Sequence, residues 1–382
     1  MISLEAERRR LTTAMTVAGA LRSPHWIDAF RSVPREVFVP RFSMRTGTES
    51  RVYQEGDDGY PSAVYTDTSL ITRWDTAGTA TSSSSEPSLM ARMLEAFSPA
   101  VGPVLEIGTG TGYNAALLCH HFGADQVVSM DVDPELTAKA REKLAGLGHK
   151  PTVVTGDGTA GYAERAPYSG LLATCGVERI PASWLAQIRP GGTIVVNIGI
   201  GVAQLTVDNN HHASGGFLPD TASFMRARPT PEHIAERAPK YAGLVLHGSG
   251  QSRTFSVPAP SDTMELLLHE LIHTESLEIA MRQPEVLSMS LVDDTGTAIH
   301  GLVHPRTGSW ARITLNGDDS IQVVHEGALD LWADRLSLLK GWIEAGRPSP
   351  DAYRLTVESS GEHILRRDRP EETTWKLGKS AE

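Results

Sequence analysis

Apolar positions along the chain fall into two periods, and the change from one to the other predicts its organisation. Up to about Phe42, Leu11, Met15, Val17 and Leu21, then Trp26, Phe30 and Val33, recur at helical spacing and predict amphipathic helices. Pro34, Pro40 and the polar stretch from Ser43 to Gly59, with its acidic Glu55-Gly-Asp-Asp58, break that pattern. Thr81-Ser-Ser-Ser-Ser85 has the composition of a flexible linker, and a helix-like run from Pro87 to Phe97 follows it.

From Val104 onward short apolar runs alternate with helical ones. Strands are predicted at Val104 to Ile107, Val127 to Met130, around Val153, at Leu171 to Thr174 and at Thr193 to Ile198. Helices are predicted at Tyr113 to His121 and Pro134 to Leu147, the second opened by proline in its first turn. Strands separated by helices of this length imply right-handed crossovers and a parallel sheet. Gln204 to Val207 and Ser214 to Leu218 read as a hairpin around Asn209-Asn-His-His212. Arg226-Ala-Arg-Pro-Thr-Pro231 reads as a linker. Beyond it come short strand candidates (Leu244 to Leu246, Leu287 to Leu291, Ala311 to Leu315, Ser320 to Val324), one clear helix from Leu329 to Ala345 and a last strand near Tyr353 to Val357. The expected division is a helical, substrate-side segment at 1–80, a central α/β domain at 81–228 and an accessory α+β domain at 229–382.

Bulk properties narrow the function classes. The 382 residues are 40% hydrophobic and 21% charged, ordinary for a globular chain of more than one domain. A net charge of −11 argues against a nucleic-acid partner held by a broad basic face. Two distant cysteines, Cys119 and Cys175, suggest neither a disulfide framework nor a zinc site. The polar start and the lack of a long apolar run give the expectation of a cytoplasmic protein without a membrane partner.

The chemistry concentrates in Val104-Leu-Glu-Ile-Gly-Thr-Gly-Thr-Gly-Tyr113. Gly108, Gly110 and Gly112, with Thr109 between them and Tyr113 and Asn114 after, form a glycine-rich turn from a strand into a helix, which lets a ligand approach the backbone. Alone it fits a dinucleotide equally well, since Gly110-Thr-Gly-Tyr-Asn-Ala115 matches G-x-G-x-x-A. Asp131, followed by Val132, ends the second strand where a carboxylate can take both ribose hydroxyls. Asp157, in Thr155-Gly-Asp-Gly158, follows the third strand, where a carboxylate can accept an adenine amine. Glu106, just before the first glycine, would repel a pyrophosphate but suits the methionine end of S-adenosylmethionine. The set favours that sulfonium cofactor and no metal.

These residues lie in a chain that resembles the protein-L-isoaspartate O-methyltransferases over roughly residues 30 to 200. The likeness runs through Val33-Pro-Arg-Glu-Val-Phe-Val-Pro40, Val64-Tyr-Thr-Asp67, Glu106 to Asn114, Asp131-Val-Asp-Pro-Glu-Leu136, Val154-Thr-Gly-Asp-Gly158, Ala173-Thr-Cys-Gly176 and Ile188-Arg-Pro-Gly-Gly192. It implies a Rossmann-like class I methyltransferase, α/β, with a helical N-terminal segment and a smaller α+β C-terminal domain. The family's Thr-x-Ser-x-Pro segment matches Ser83-Ser-Ser85-Glu-Pro87, which puts Ser85, with Ser83 beside it, against the methyl-accepting carboxylate. Glu86, Ser88 and the long extension depart from the short repair enzymes. They are similar to methyltransferases of ribosomally made peptides, those paired with ATP-grasp ligases in graspetide systems. That branch implies methylation of an aspartate in a pre-cyclised precursor peptide, followed by closure to an aspartimide. The alternative is repair of isoaspartyl protein.

Five further signals carry less. His269-Glu-Leu-Ile-His273 matches the zinc-protease motif but lacks an evident third ligand. His211-His212 is expected in a solvated turn, and Cys175 beside the sheet. Trp332, Leu336, Leu339 and Trp342 form a stripe that reads as core. Arg366, Arg367 and Arg369 read as a solvated tail or as a dock for an acidic peptide.

Overall fold

The computed structural model describes residues 3–46, 49–75, 78, 80–99, 102–230, 238–256, 276–316, 320–369 and 371–378. His269 and His273 lie outside them.

The chain opens as its periodicity predicts. α1 (Leu4–Val17), α2 (Pro24–Ser32) and α3 (Arg35–Phe38) bury Leu11, Met15, Trp26, Phe30 and Phe38. The polar stretch beyond them does not stay irregular. β1 (Arg41–Thr46), β2 (Glu49–Gln54), β3 (Leu70–Trp74) and β4 (Ala80–Ser84) form an antiparallel sheet in the order β2-β1-β3-β4, with α4 (Tyr60–Val64) between its second and third strands. The helices expected up to about Phe42 are present, and the stretch after them, for which the sequence pattern predicts no element, is this sheet. These strands bury only one face, where Phe42 stacks on Tyr53 at 5.5 Å, and they are too short for the alternation to stand out. The serine run is β4, not a linker: it pairs with β3 and buries Ser82 and Ser84.

A ten-stranded sheet forms the centre. β5 (Val104–Ile107), β6 (Val127–Asp131), β7 (Thr152–Thr155), β8 (Tyr168–Val177) and β9 (Ile188–Ile198) are parallel. All of β5 is buried, as in a strand covered on both faces. Between these strands run α6 (Tyr113–Phe122), α7 (Pro134–Gly146) and the short α8 (Ala182–Gln187), while α5 (Pro87–Ala96) precedes the sheet. α7 starts where Asp133 accepts hydrogen bonds from the N–H groups of Glu135 and Leu136, with Pro134 in the first turn. β10 (Gly201–Val207) and β11 (Ala213–Thr221) form the expected antiparallel hairpin. β5 lies between β6 and β8, so the strand order reverses at its C-terminal end, where open α/β sheets bind ligands.

The C-terminal region splits between two sheets. β12 (Gln251–Ser256), β13 (Leu287–Val292), β14 (Ala298–His304), β15 (Ser309–Leu315) and β16 (Ser320–Glu326) form a separate antiparallel sheet. Against it packs the helix Leu331–Glu344, whose Trp332, Leu339 and Trp342 are core, as their spacing predicts. The run Leu244 to Leu246 lies in a helix, α9 (Ala242–His247), because a short apolar run does not distinguish helix from strand.

β17 (Tyr353–Val357), β18 (His363–Arg367) and β19 (Thr373–Gly378) instead pair onto β11 and extend the central sheet. The boundary expected at residue 228 therefore does not divide the two sheets. Fully buried His363 locks the junction: its Nε2 accepts the Ile180 N–H at 2.8 Å and its Nδ1 lies 2.9 Å from the Gly361 carbonyl. Burial pushes its pKa down to about 4, so the neutral ring makes both contacts. Arg367 does not belong to a solvated tail either. It is buried, pairs with Glu278 at 3.3 Å and lies over the Trp375 ring. Among the described residues no helix is long and apolar enough to cross a membrane.

Candidate active site

A cavity of about 860 Å³ opens at the C-terminal ends of β5 and β6, within the range of small-molecule sites. The glycine loop, β4 with the turn after it, and the segment following β11 form its walls.

The loop's shape follows from its sequence. Gly108 has φ +97°, and a Cβ there would meet Thr174 Oγ1 at 2.7 Å. Gly112, at φ +90°, turns the chain into α6, and a Cβ there would press Ala140 at 3.0 Å. The loop amides are largely spent on the protein. Gly108 and Thr109 donate to the Met130 carbonyl at 2.8 and 3.0 Å, and Gly110 donates to Asp131 Oδ2 at 2.8 Å. A dinucleotide loop needs such amides for its pyrophosphate. This one lacks that reserve and places a carboxylate at its edge.

Gly108, Thr109, Gly110, Tyr113, Asn114, Asp131, Val132 and Gly158 all line the cavity. Asp131 Oδ1 accepts the Asp133 N–H at 3.0 Å, and burial raises the carboxyl's pKa against the lowering effect of its two backbone donors. Asn114 donates from Nδ2 to Glu106 at 2.7 Å, while its buried Oδ1 has no partner. Asp157 stands one residue off the wall, its Oδ1 accepting from Thr159 N and Oγ1 at 2.9 and 2.8 Å.

Glu106 departs from expectation. It does not line the cavity but is fully buried behind the loop, taking hydrogen bonds from Asn114 and Ser129. Desolvation raises its pKa to about 7 against those two hydrogen bonds. Gly112 is likewise a hinge outside the lining. Cys175 does line the cavity, and burial pushes its thiol up to about 12, which leaves it protonated and inert.

Ser83, Ser85 and Glu86 line the same cavity, and a Cβ on Gly110 would lie 3.8 Å from the Ser83 carbonyl. Beneath them lies Arg35, the most informative residue that sequence reading passed over within Val33 to Pro40. It is completely buried and makes six side-chain hydrogen bonds: to Ser84 Oγ and to the carbonyls of Val64, Thr66, Thr68, Ser84 and Ser85. Among the described residues it has no ion-paired carboxylate, so its charge lies directly under the serine turn. Burial lowers its pKa to about 10, which leaves it charged at neutral pH. Asp67 completes the frame by accepting from Ser88 N at 2.8 Å and Ser88 Oγ at 2.6 Å at the start of α5. The segment read as a linker closes the third side. Gly176 donates to the Met225 carbonyl, Ala227 donates back to Gly176, and Phe224, Arg226 and Arg228 line the cavity.

A glycine loop with committed amides, a ribose-height carboxylate and an unpartnered Asn114 oxygen suit an uncharged nucleoside arm joined to an amino-acid tail. The sequence profile of the protein-L-isoaspartate(D-aspartate) O-methyltransferase family (PCMT) matches residues 6–218. The chain belongs to this family. It is an S-adenosylmethionine-dependent carboxyl O-methyltransferase. Protein-L-isoaspartate O-methyltransferase 2 of Anaeromyxobacter sp. is 36% identical over 235 residues, 60% of this chain and 81% of that one. The protein-L-isoaspartate O-methyltransferase of Ignicoccus hospitalis is 33% identical over 198 residues, 51% and 83% of the two chains. A solved structure named protein-L-isoaspartate O-methyltransferase matches with a TM-score of 0.53 at 23% identity, over 94% of this chain and 98% of its own. That likeness concerns the fold, and its reach takes in the C-terminal extension.

Proposed function

We propose that this enzyme methylates the free carboxylate of isoaspartyl residues in polypeptides. The observation that carries the reading is Ser85 on the wall of the same cavity as Asp131, with the buried Arg35 guanidinium donating to its carbonyl at 3.0 Å. In this reading Asp131 holds the ribose, Gly108 to Gly110 and Val132 flank the nucleoside, Gly158 leaves room for the adenine, and Asn114 Oδ1 accepts from the amino-acid tail. S-adenosylmethionine, when bound, supplies an electrophilic methyl group. The acceptor carboxylate is ionised at neutral pH and needs no general base. The chain's work is therefore to orient it and hold water out. Ser85, with Ser83 beside it, donates a hydrogen bond to one carboxylate oxygen and leaves the other facing the methyl. Arg35 favours the anion by its charge. The product ester has lost its charge and is open to attack by a neighbouring backbone amide.

A second reading, aspartate methylation in a pre-cyclised graspetide-like peptide with closure to an aspartimide, is supported by Glu86. Its carboxylate rims the acceptor end, 3.7 Å from Arg92 and held up in pKa by burial and by Asp67. The extension no longer favours this reading, because its fold is shared with the solved structure above. The two separate on substrate: isoaspartyl peptides are expected to be methylated without a cyclised scaffold, with mass spectrometry locating the ester. Ser85→Ala should cut kcat with little change in cofactor affinity. Methylation confined to a cyclised precursor would select the second reading.

A further inference from the structure

One face of the small antiparallel sheet runs out of the cavity onto the surface. Ser83 of β4 pairs with Ile71 of β3, Ile71 with Ser43 of β1, and Ser43 with Val52 of β2. Directly paired residues project to the same face, so these four form one row. Ser83 and Ile71 line the cavity, whereas Val52 at the far end is 52% exposed. Trp74 joins the row: its indole N–H donates to Ser43 Oγ at 3.1 Å while the residue stays 48% exposed. Alternation along β1 puts Arg41 and Arg45 on the same face, flanking Ser43. Both are exposed, and neither is in an ion pair among the described residues. Two large apolar groups and two unpaired guanidinium groups thus surround a track that begins at the acceptor serines.

We propose that this face docks the polypeptide substrate beside its methyl-accepting residue and selects flanks that carry apolar and acidic side chains. The inference rests on the polypeptide-carboxylate reading above and deepens it. Strands lie about 4.8 Å apart, so the three steps from β4 to β2 span roughly 14 Å, which an extended peptide covers with about four residues. The residues read are therefore those within about four positions of the modified one. The occupant's chemistry follows from the charges. An acidic flank is repelled by the protein's net charge at long range, and Arg41 and Arg45 are where it is locally favoured.

The test measures binding apart from turnover. An unstructured fluorescent peptide alternating Glu and Leu, and its Lys-for-Glu counterpart, are titrated with the full chain at low salt and followed by anisotropy. The wild type is expected to favour the acidic peptide by roughly fivefold, the scale of two exposed ion pairs. Arg41→Glu/Arg45→Glu should abolish or reverse that preference, the milder Arg41→Gln/Arg45→Gln should abolish it, and Trp74→Ala should weaken both peptides. Equal binding of the two peptides by the wild type, or a preference that survives both double variants, overturns the proposal. A minimal isoaspartyl peptide, too short to pass Ile71, should be methylated equally by wild type and double variants. Binding as expected without methylation of any isoaspartyl peptide would keep the docking face and remove the substrate reading. Methylation without flank preference would do the reverse.

Discussion

Arg35→Lys tests whether the buried guanidinium holds the segment Ser83 to Ser85 in place. The arginine fork serves six acceptors, five of them main-chain carbonyls from two segments distant in sequence. A lysine ammonium keeps the charge but has three donors on one nitrogen, so at least three of those bonds are lost. Each bond to a charged group is worth about 1.5–3 kcal/mol, and the three longest, at 3.2, 3.3 and 3.4 Å, fall at the low end, so the variant should lose about 4–5 kcal/mol. That is a large share of a total near 5–15 kcal/mol, so the variant should fold but unfold at much lower urea. The Ser84 and Ser85 carbonyls are among the acceptors at risk, so kcat should fall, while cofactor affinity stays nearly constant because no glycine-loop residue and no atom of Asp131 is among the acceptors of Arg35. Urea denaturation, calorimetric titration of the cofactor and steady-state methylation together check this. A loss of stability under about 1 kcal/mol with unchanged kcat would refute it.

Two further outcomes follow from the cofactor end. On the proposed reading Asp131 draws the ribose hydroxyls, so Asp131→Asn should lower cofactor affinity measured by titration about tenfold or more; unchanged affinity would move the ribose elsewhere. Glu106→Gln should change the pH dependence of stability. The native carboxyl titrates at about 7 instead of 4.5, so the folded state binds the extra proton and the wild type loses stability as pH rises from 4.5 to about 7. The variant, which has no such group, should gain relative to wild type over that window in paired denaturation curves; a constant difference would contradict the burial argument.

The parallel strands and the glycine loop were legible because a strand buried on both faces reads as an unbroken apolar run, and Val104 to Ile107 does so even around Glu106. What escaped was set by long-range pairing. The serine run has linker composition, yet β3 recruits it as a strand. Arg35 looked like any helix-start arginine, because its acceptors come from residues 64–68 and 84–85, which only the fold brings together. Glu106 was read as a ligand because its position beside the loop was known and its direction was not. The joining of β17 to β11 carries no local signal at all, since edge pairing depends on strands more than 130 residues apart.

On the proposed reading an aspartyl-type carboxylate, presented at Ser85, receives the methyl group. The most direct measurement offers the purified chain, with S-adenosylmethionine, two peptides that differ only in an isoaspartyl or an aspartyl linkage, and counts methyl esters by mass spectrometry. Esterification of the isoaspartyl peptide at its free carboxylate, with little on its counterpart, is the expected result. Cofactor binding with no ester on either linear peptide would contradict it.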